Sequence, residues 1–207
     1  MDVARPYTAV SPTLDGEVLV TLARTTRPLT GRDVARLVRR GSQQGVSLAL
    51  RRLVRHGLVS AQEAGPALLY ALNRDHLAAP AVEILAGMRE ELLRRLRGSI
   101  EQWQVPPVHA SLFGSAARGD GDAGGDIDIF VVRPERIDEA DPRWRGQIDE
   151  LAADVRRWTG NHAGIAEVST RELGRLRRER PPVVEDLRAH AITLAGLPAS
   201  QLLGERA

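Results

Sequence analysis

The chain of 207 residues contains no cysteine, which excludes disulfides and thiolate metal sites. It contains no lysine either: all 29 basic residues are arginine, the usage of a GC-rich coding sequence. Aromatic residues make up only 3%, so aliphatic side chains must fill the core. No apolar run approaches the ~20 residues that cross a bilayer. The start, Met1-Asp2-Val3-Ala4-Arg5, lacks the apolar stretch of a signal peptide. These absences predict a cytoplasmic protein without membrane contacts. The five histidines (His56, His76, His109, His162 and His190) show no metal-ligand spacing.

An apolar content of 43% with 27% charged residues is ordinary for a globular protein, and the length suits one large or two small domains. The charge is divided unevenly. Residues 1–80 carry 11 arginines against 6 acids, a balance of +5, whereas the remainder balances at −3. A basic first part beside a mildly acidic second part points to different partners for the two.

One compact signature stands in the second part. Leu112-Phe113-Gly114-Ser115-Ala116-Ala117-Arg118-Gly119-Asp120 places a small-residue turn after an apolar run. Asp126-Ile127-Asp128-Ile129-Phe130-Val131-Val132 then opens a second apolar run with an Asp-x-Asp. Alternate strand residues share a face, so Asp126, Asp128 and Phe130 lie on one side and Ile127, Ile129 and Val131 on the buried other. Two carboxylates this close repel unless a cation sits between them, and hard oxygen ligands beside phosphate suit Mg²⁺. The Gly114-Ser115 turn offers backbone N–H groups to phosphate oxygens. Asp120 and Asp122, in the Gly-rich stretch between, read as loop acids.

These residues resemble the nucleotidyltransferase superfamily of DNA polymerase β, in its minimal-nucleotidyltransferase branch. Gly114, Ser115, Arg118, Gly119, Asp126 and Asp128 match its pattern position by position. Gly125 departs from it, since many relatives have Ser before the first Asp. The resemblance covers about residues 107–196. It implies transfer of a nucleoside monophosphate from an NTP to an acceptor hydroxyl, with two Mg²⁺ ions held by Asp126 and Asp128. It implies Gly114, Ser115 and Arg118 as nucleotide-binding residues. It also implies a third catalytic and metal-binding carboxylate on a later strand, where Glu167 is the only acid. Relatives suggest a protein or an RNA end as acceptor.

The first part reads as a winged helix-turn-helix. Helices are expected over Leu14–Ala23, Gly31–Val38 and Gln43–Arg55, capped at Thr30 and Ser42, followed by a hairpin turning at Gly65-Pro66. The stretch from Leu48 to Val59 resembles the recognition-helix end and wing of MarR- and ArsR-type regulators. That resemblance implies double-stranded DNA as partner, with Ser42, Gln43, Gln44 and Ser47 facing bases and Arg39, Arg40, Arg51 and Arg52 facing phosphates. A protein-interaction or dimerisation module is the alternative reading.

The expected architecture is α+β: a winged helix-turn-helix domain over 1–78, a connecting helix over 79–105, and a mixed-sheet nucleotidyltransferase domain over 106–207. The connecting helix is amphipathic and suits either a homodimer contact or a rigid spacer. Later elements are expected as a helix over Gln147–Thr159, a strand over His162–Val168, a helix over Pro182–His190 and a last strand over Ile192–Gly196. Two rival functions stand beside the enzyme: a transcription regulator whose second domain only senses a nucleotide, and a toxin–antitoxin component.

Overall fold

A computed structural model describes residues 1–38, 41–120 and 124–204. The chain divides into two compact units, Pro6–Arg89, and Met1–Arg5 together with Glu90–Ala207. Among the described residues no helix is long and apolar enough to cross a membrane.

The first unit runs α1 (Leu14–Ala23), β1 (Leu29–Thr30), α2 (Gly31–Leu37), α3 (Gln43–Arg55), β2 (Val59–Ala64), β3 (Ala67–Leu72) and α4 (Ala79–Ala86). The helices α1, α2 and α3 each start at a hydroxyl that accepts an otherwise unpaired backbone N–H. Thr13 caps α1, Thr30 takes the Asp33 amide at 3.1 Å, and Ser42 takes the Gly45 amide at 3.1 Å. Val18, Leu22, Val34, Val46, Leu50 and Leu53 fill the core between the helices. The β2–β3 hairpin is antiparallel, and the short β1 pairs with β3, giving the order β1-β3-β2.

The sequence suggests one long connecting helix, but the chain forms two, α4 and α5 (Met88–Glu101), separated at Gly87. The division between the compact units falls inside α5.

The second unit is a four-stranded sheet with helices on both faces. Its elements are β4 (His109–Leu112), α6 (Gly114–Arg118), β5 (Ile127–Arg133), α7 (Pro142–Thr159), β6 (Ala163–Ser169), α8 (Thr170–Glu179), α9 (Pro182–His190), β7 (Ile192–Gly196) and α10 (Ala199–Leu202). The strand order is β6-β5-β4-β7; β5 and β6 run parallel and the other pairs antiparallel. The α7 helix begins five residues before the expected Gln147. Asp141 caps it through the Arg143 amide at 2.9 Å, and Pro142 suits its first turn.

The two faces of the sheet divide the residues of β5 by parity. Ile127, Ile129 and Val131 are fully buried against Leu92, Leu96 and Ile100 of α5 and Ile148, Leu151 and Val155 of α7. Trp103 and Trp144 close that layer edge to face, with ring centroids 5.6 Å apart. On the other face Phe130 and Val132 pack against Leu173 of α8, Val184 and Leu187 of α9, and Leu203.

Leu151 is fully enclosed in the α7–sheet layer. Replacing it with alanine removes three carbons where neighbours cannot collapse, so Leu151→Ala should cost about 2–5 kcal/mol in urea unfolding.

Candidate functional site

The site forms where β4 runs out into α6 beside the start of β5. The Phe113 N–H donates to the Asp128 carbonyl at 2.9 Å, so the ladder carries the chain to the turn next to Asp128. Gly114 then adopts φ +65°, a conformation that L side chains rarely take. A Cβ on Gly114 would also lie 2.5 Å from Asp128 Oδ2. On the other side Gly164 of β6 is in register with Asp128, and a Cβ there would lie 2.8 Å from Oδ1. Two glycines therefore let one carboxylate sit close against the backbone on either side.

Asp126 precedes the first residue of β5 and is exposed, whereas Asp128 is half-buried. Burial and the charge of Asp126 push the Asp128 carboxyl above the usual carboxylate range, with Asp186 adding to the effect and Arg118 opposing it. The approach to the pair is pinned by Asn161, a buried side chain whose Nδ2 donates to the Gly125 carbonyl at 2.7 Å. The Ile127 N–H donates to the His162 carbonyl at 2.8 Å and locks β5 against β6. In the sequence Asn161 reads only as a helix stop.

Arg118 faces this site, but it is shared between two acids. Its Nε donates to Asp120 Oδ2 at 3.1 Å and its Nη1 to Asp186 Oδ1 at 2.6 Å. Asp186, on α9, also accepts the Gly114 N–H at 3.0 Å, and His190 Nδ1 lies 3.3 Å from its Oδ1. Burial works against the charge of Asp186, but the Arg118 guanidinium and the Gly114 amide outweigh it and hold its carboxyl below the usual range. Nothing in the local sequence around Asp186 marks it; only the packing of α9 against α6 brings it here. Asp122 lies outside the described residues.

Glu167 does not reach this site. It is in register with Val131 of β5, which places it on the face of Ile127 and Ile129, opposite Asp128. There its Oε1 accepts from Arg133 Nε at 2.7 Å, with both side chains nearly enclosed at 13% and 10% exposure. On the Asp128 face β6 presents Gly164 and Ala166 instead. Among the described residues no group of three or more His, Asp or Glu stands ready to hold a metal ion.

The residues proposed to read DNA stand on or near α3 of the first unit. Gln43, Gln44, Ser47 and Arg51 are exposed, while the Ser42 hydroxyl is taken by its capping bond. Arg52 is tied to Asp15 of α1, its Nε donating to Oδ2 at 2.8 Å, so a phosphate would have to compete for it. Arg39 and Arg40 lie outside the described residues. The β2–β3 hairpin carries Glu63 and no arginine.

Because folding raises the pKa of Asp128, its charged form costs stability above that pKa, and the cost fades as pH falls toward the ordinary carboxylate range. Asp128→Asn should therefore melt roughly 1–4 °C higher than the parent near neutral pH. Thermal unfolding should show that gap closing in acid, where the parent carboxyl is already protonated.

Residues 93–189, just under half of the chain, match the family model described as "Nucleotidyltransferase domain". No curated protein matches the chain. Among solved structures, human N-acetylserotonin methyltransferase in complex with SAM aligns with 50% of this chain at 19% identity and a TM-score of 0.29. The alignment spans 32% of that enzyme, and nothing of its fold or activity transfers at such a score. The chain thus carries, over residues 93–189, a segment similar to the nucleotidyltransferase domain, and this segment contains Gly114, Ser115, Asp126 and Asp128.

Proposed function

We propose that the second unit transfers a nucleoside monophosphate from an NTP to an acceptor hydroxyl. The observation that carries this reading is the carboxylate of Asp128, set between Gly114 and Gly164 beside Asp126. The matched family supports it. A half-buried acid next to a second acid is costly to keep charged unless a cation joins it. The donor set, two hard carboxylates two residues apart at the start of one strand, fits Mg²⁺, which needs only one or two carboxylates when substrate phosphates complete its shell. Bound there, Mg²⁺ supplies charge neutralisation for the triphosphate and its leaving group. Asp126 and Asp128 hold the cation, the Gly114-Ser115 turn takes phosphate oxygens, and Arg118 adds positive charge at their side. Glu167, on the far face of the sheet, has no part in this reading, so Asp126 and Asp128 lack the third carboxylate expected from sequence on the β6 strand.

That shortfall favours a second reading, a domain that binds a nucleotide without turning it over. Binding needs fewer groups than catalysis, and the β6 face beside Asp128 carries no acid at Gly164 or Ala166.

For the first unit we propose a winged helix-turn-helix that binds double-stranded DNA. The helix–strand–helix–helix–hairpin order and the β1-β3-β2 sheet support it, as does the exposed face of Gln44, Ser47 and Arg51 on α3. With no arginine on the hairpin, the phosphate contacts of this reading fall to the helices.

Calorimetry with each of the four NTPs tests the nucleotide site without knowledge of the acceptor. At least one should bind only with Mg²⁺ present, and Asp126→Ala/Asp128→Ala should weaken it at least about tenfold. Absence of binding by the parent chain would contradict the proposal. For DNA, affinity should fall steeply with salt, and Arg51→Ala should lower the slope of log K against log salt by about 1. A salt-independent affinity, or none at low salt, would remove DNA from the account.

A further inference from the structure

The groups assigned to phosphate are already engaged by an anion of the chain itself. Asp186 accepts the Gly114 N–H at 3.0 Å through Oδ2 and the Arg118 Nη1 at 2.6 Å through Oδ1. One carboxylate thus bridges a backbone donor and a guanidinium, the fork that two oxygens of a phosphate would take. We propose that Asp186 fills the phosphate position while the site is free and is displaced by the phosphate tail of the nucleotide. This rests on the nucleotide reading of the site given above.

Three structural features support displacement over a permanent structural role. Asp186 is only partly enclosed, with its side chain at 22% exposure, so it can turn away from Gly114 without opening the core. A second partner stands one helical turn further along α9: His190 Nδ1 is 3.3 Å from Oδ1 and half-exposed. The core contacts of α9 come from Val184 and Leu187, which need not move when Asp186 changes rotamer. The charge balance points the same way. Asp120 and Asp186 both bond Arg118, and Asp128 with its neighbour Asp126 adds further negative charge at the site, so a bare phosphate is repelled unless it arrives with cations. Asp186 thereby sets the affinity of the site and favours metal-complexed phosphates over free ones.

The opposite role predicts the opposite sign. If Asp186 were a third metal-binding carboxylate, its removal would weaken nucleotide binding; as a competitor of phosphate, its removal strengthens it. Calorimetry in Mg²⁺ on the full chain separates the two, using the NTPs and inorganic triphosphate, which has no base or sugar. Asp186→Asn should bind both roughly 3- to 30-fold more tightly than the parent, with the Asp126/Asp128 dependence retained. Asp186→Ala should do the same if the Asn variant fails to fold, as judged by its thermal transition. Equal or weaker binding by the variants, with the parent binding normally, overturns it while leaving the nucleotide site intact. No binding by parent or variant refutes the nucleotide reading itself, and the competition with it.

Discussion

A carboxylate that is half-buried, next to a second carboxylate, sets the terms for the second unit. Asp128 is pushed toward its neutral form by burial and by Asp126. Like charges at this range are tolerated only where a cation, a hydrogen-bond donor or solvent compensates them. Three nearby features answer that demand. Gly114 and Gly164, without side chains, let the carboxylate lie against the backbone on either side. Arg118 brings a positive charge within reach. Asn161 fixes the backbone at Gly125, so the pair cannot relax apart by movement of the loop. Such an arrangement is an expense for a folded protein and is typical of sites that bind or react.

The two faces of one strand explain how the expense is borne. On β5 the odd-numbered residues Ile127, Ile129 and Val131 enter a dry layer between the sheet and the α5–α7 helices. That burial anchors the strand firmly enough for the even-numbered Asp128 to be held in an unfavourable setting. Further along the same face, Phe130 and Val132 are covered by α8 and α9.

Much of this order is legible in the sequence, because it depends on local pattern. The α1 span follows from apolar spacing, and the α3 span from apolar spacing together with Ser42 and Gly57 at its ends. The Gly-Ser turn and the Asp-x-Asp strand follow from parity and small residues. What the sequence does not reveal depends on register and packing. Glu167 lies on the wrong face because β6 pairs with β5 through the Ile127–His162 bond, and a shift of one residue would have reversed its side. Asp186 reaches the site only because α9 packs on α6. The α8 helix is a different case. The Ser169-x-x-Glu172 capping box announces it, but its Arg- and Glu-rich surface leaves few apolar residues to reveal the helical period.

The central claim is that Asp126 and Asp128 jointly hold a divalent cation with a nucleoside triphosphate. Electron paramagnetic resonance of Mn²⁺, used in place of Mg²⁺, reads that claim directly, since the free-ion signal falls as the metal becomes bound. With a non-hydrolysable NTP present, the parent chain should deplete the free Mn²⁺ signal well beyond what the nucleotide alone does. Asp126→Ala/Asp128→Ala should leave it at the nucleotide-only level. An equal depletion by both proteins would contradict the account, because the metal would then sit somewhere other than this pair of carboxylates.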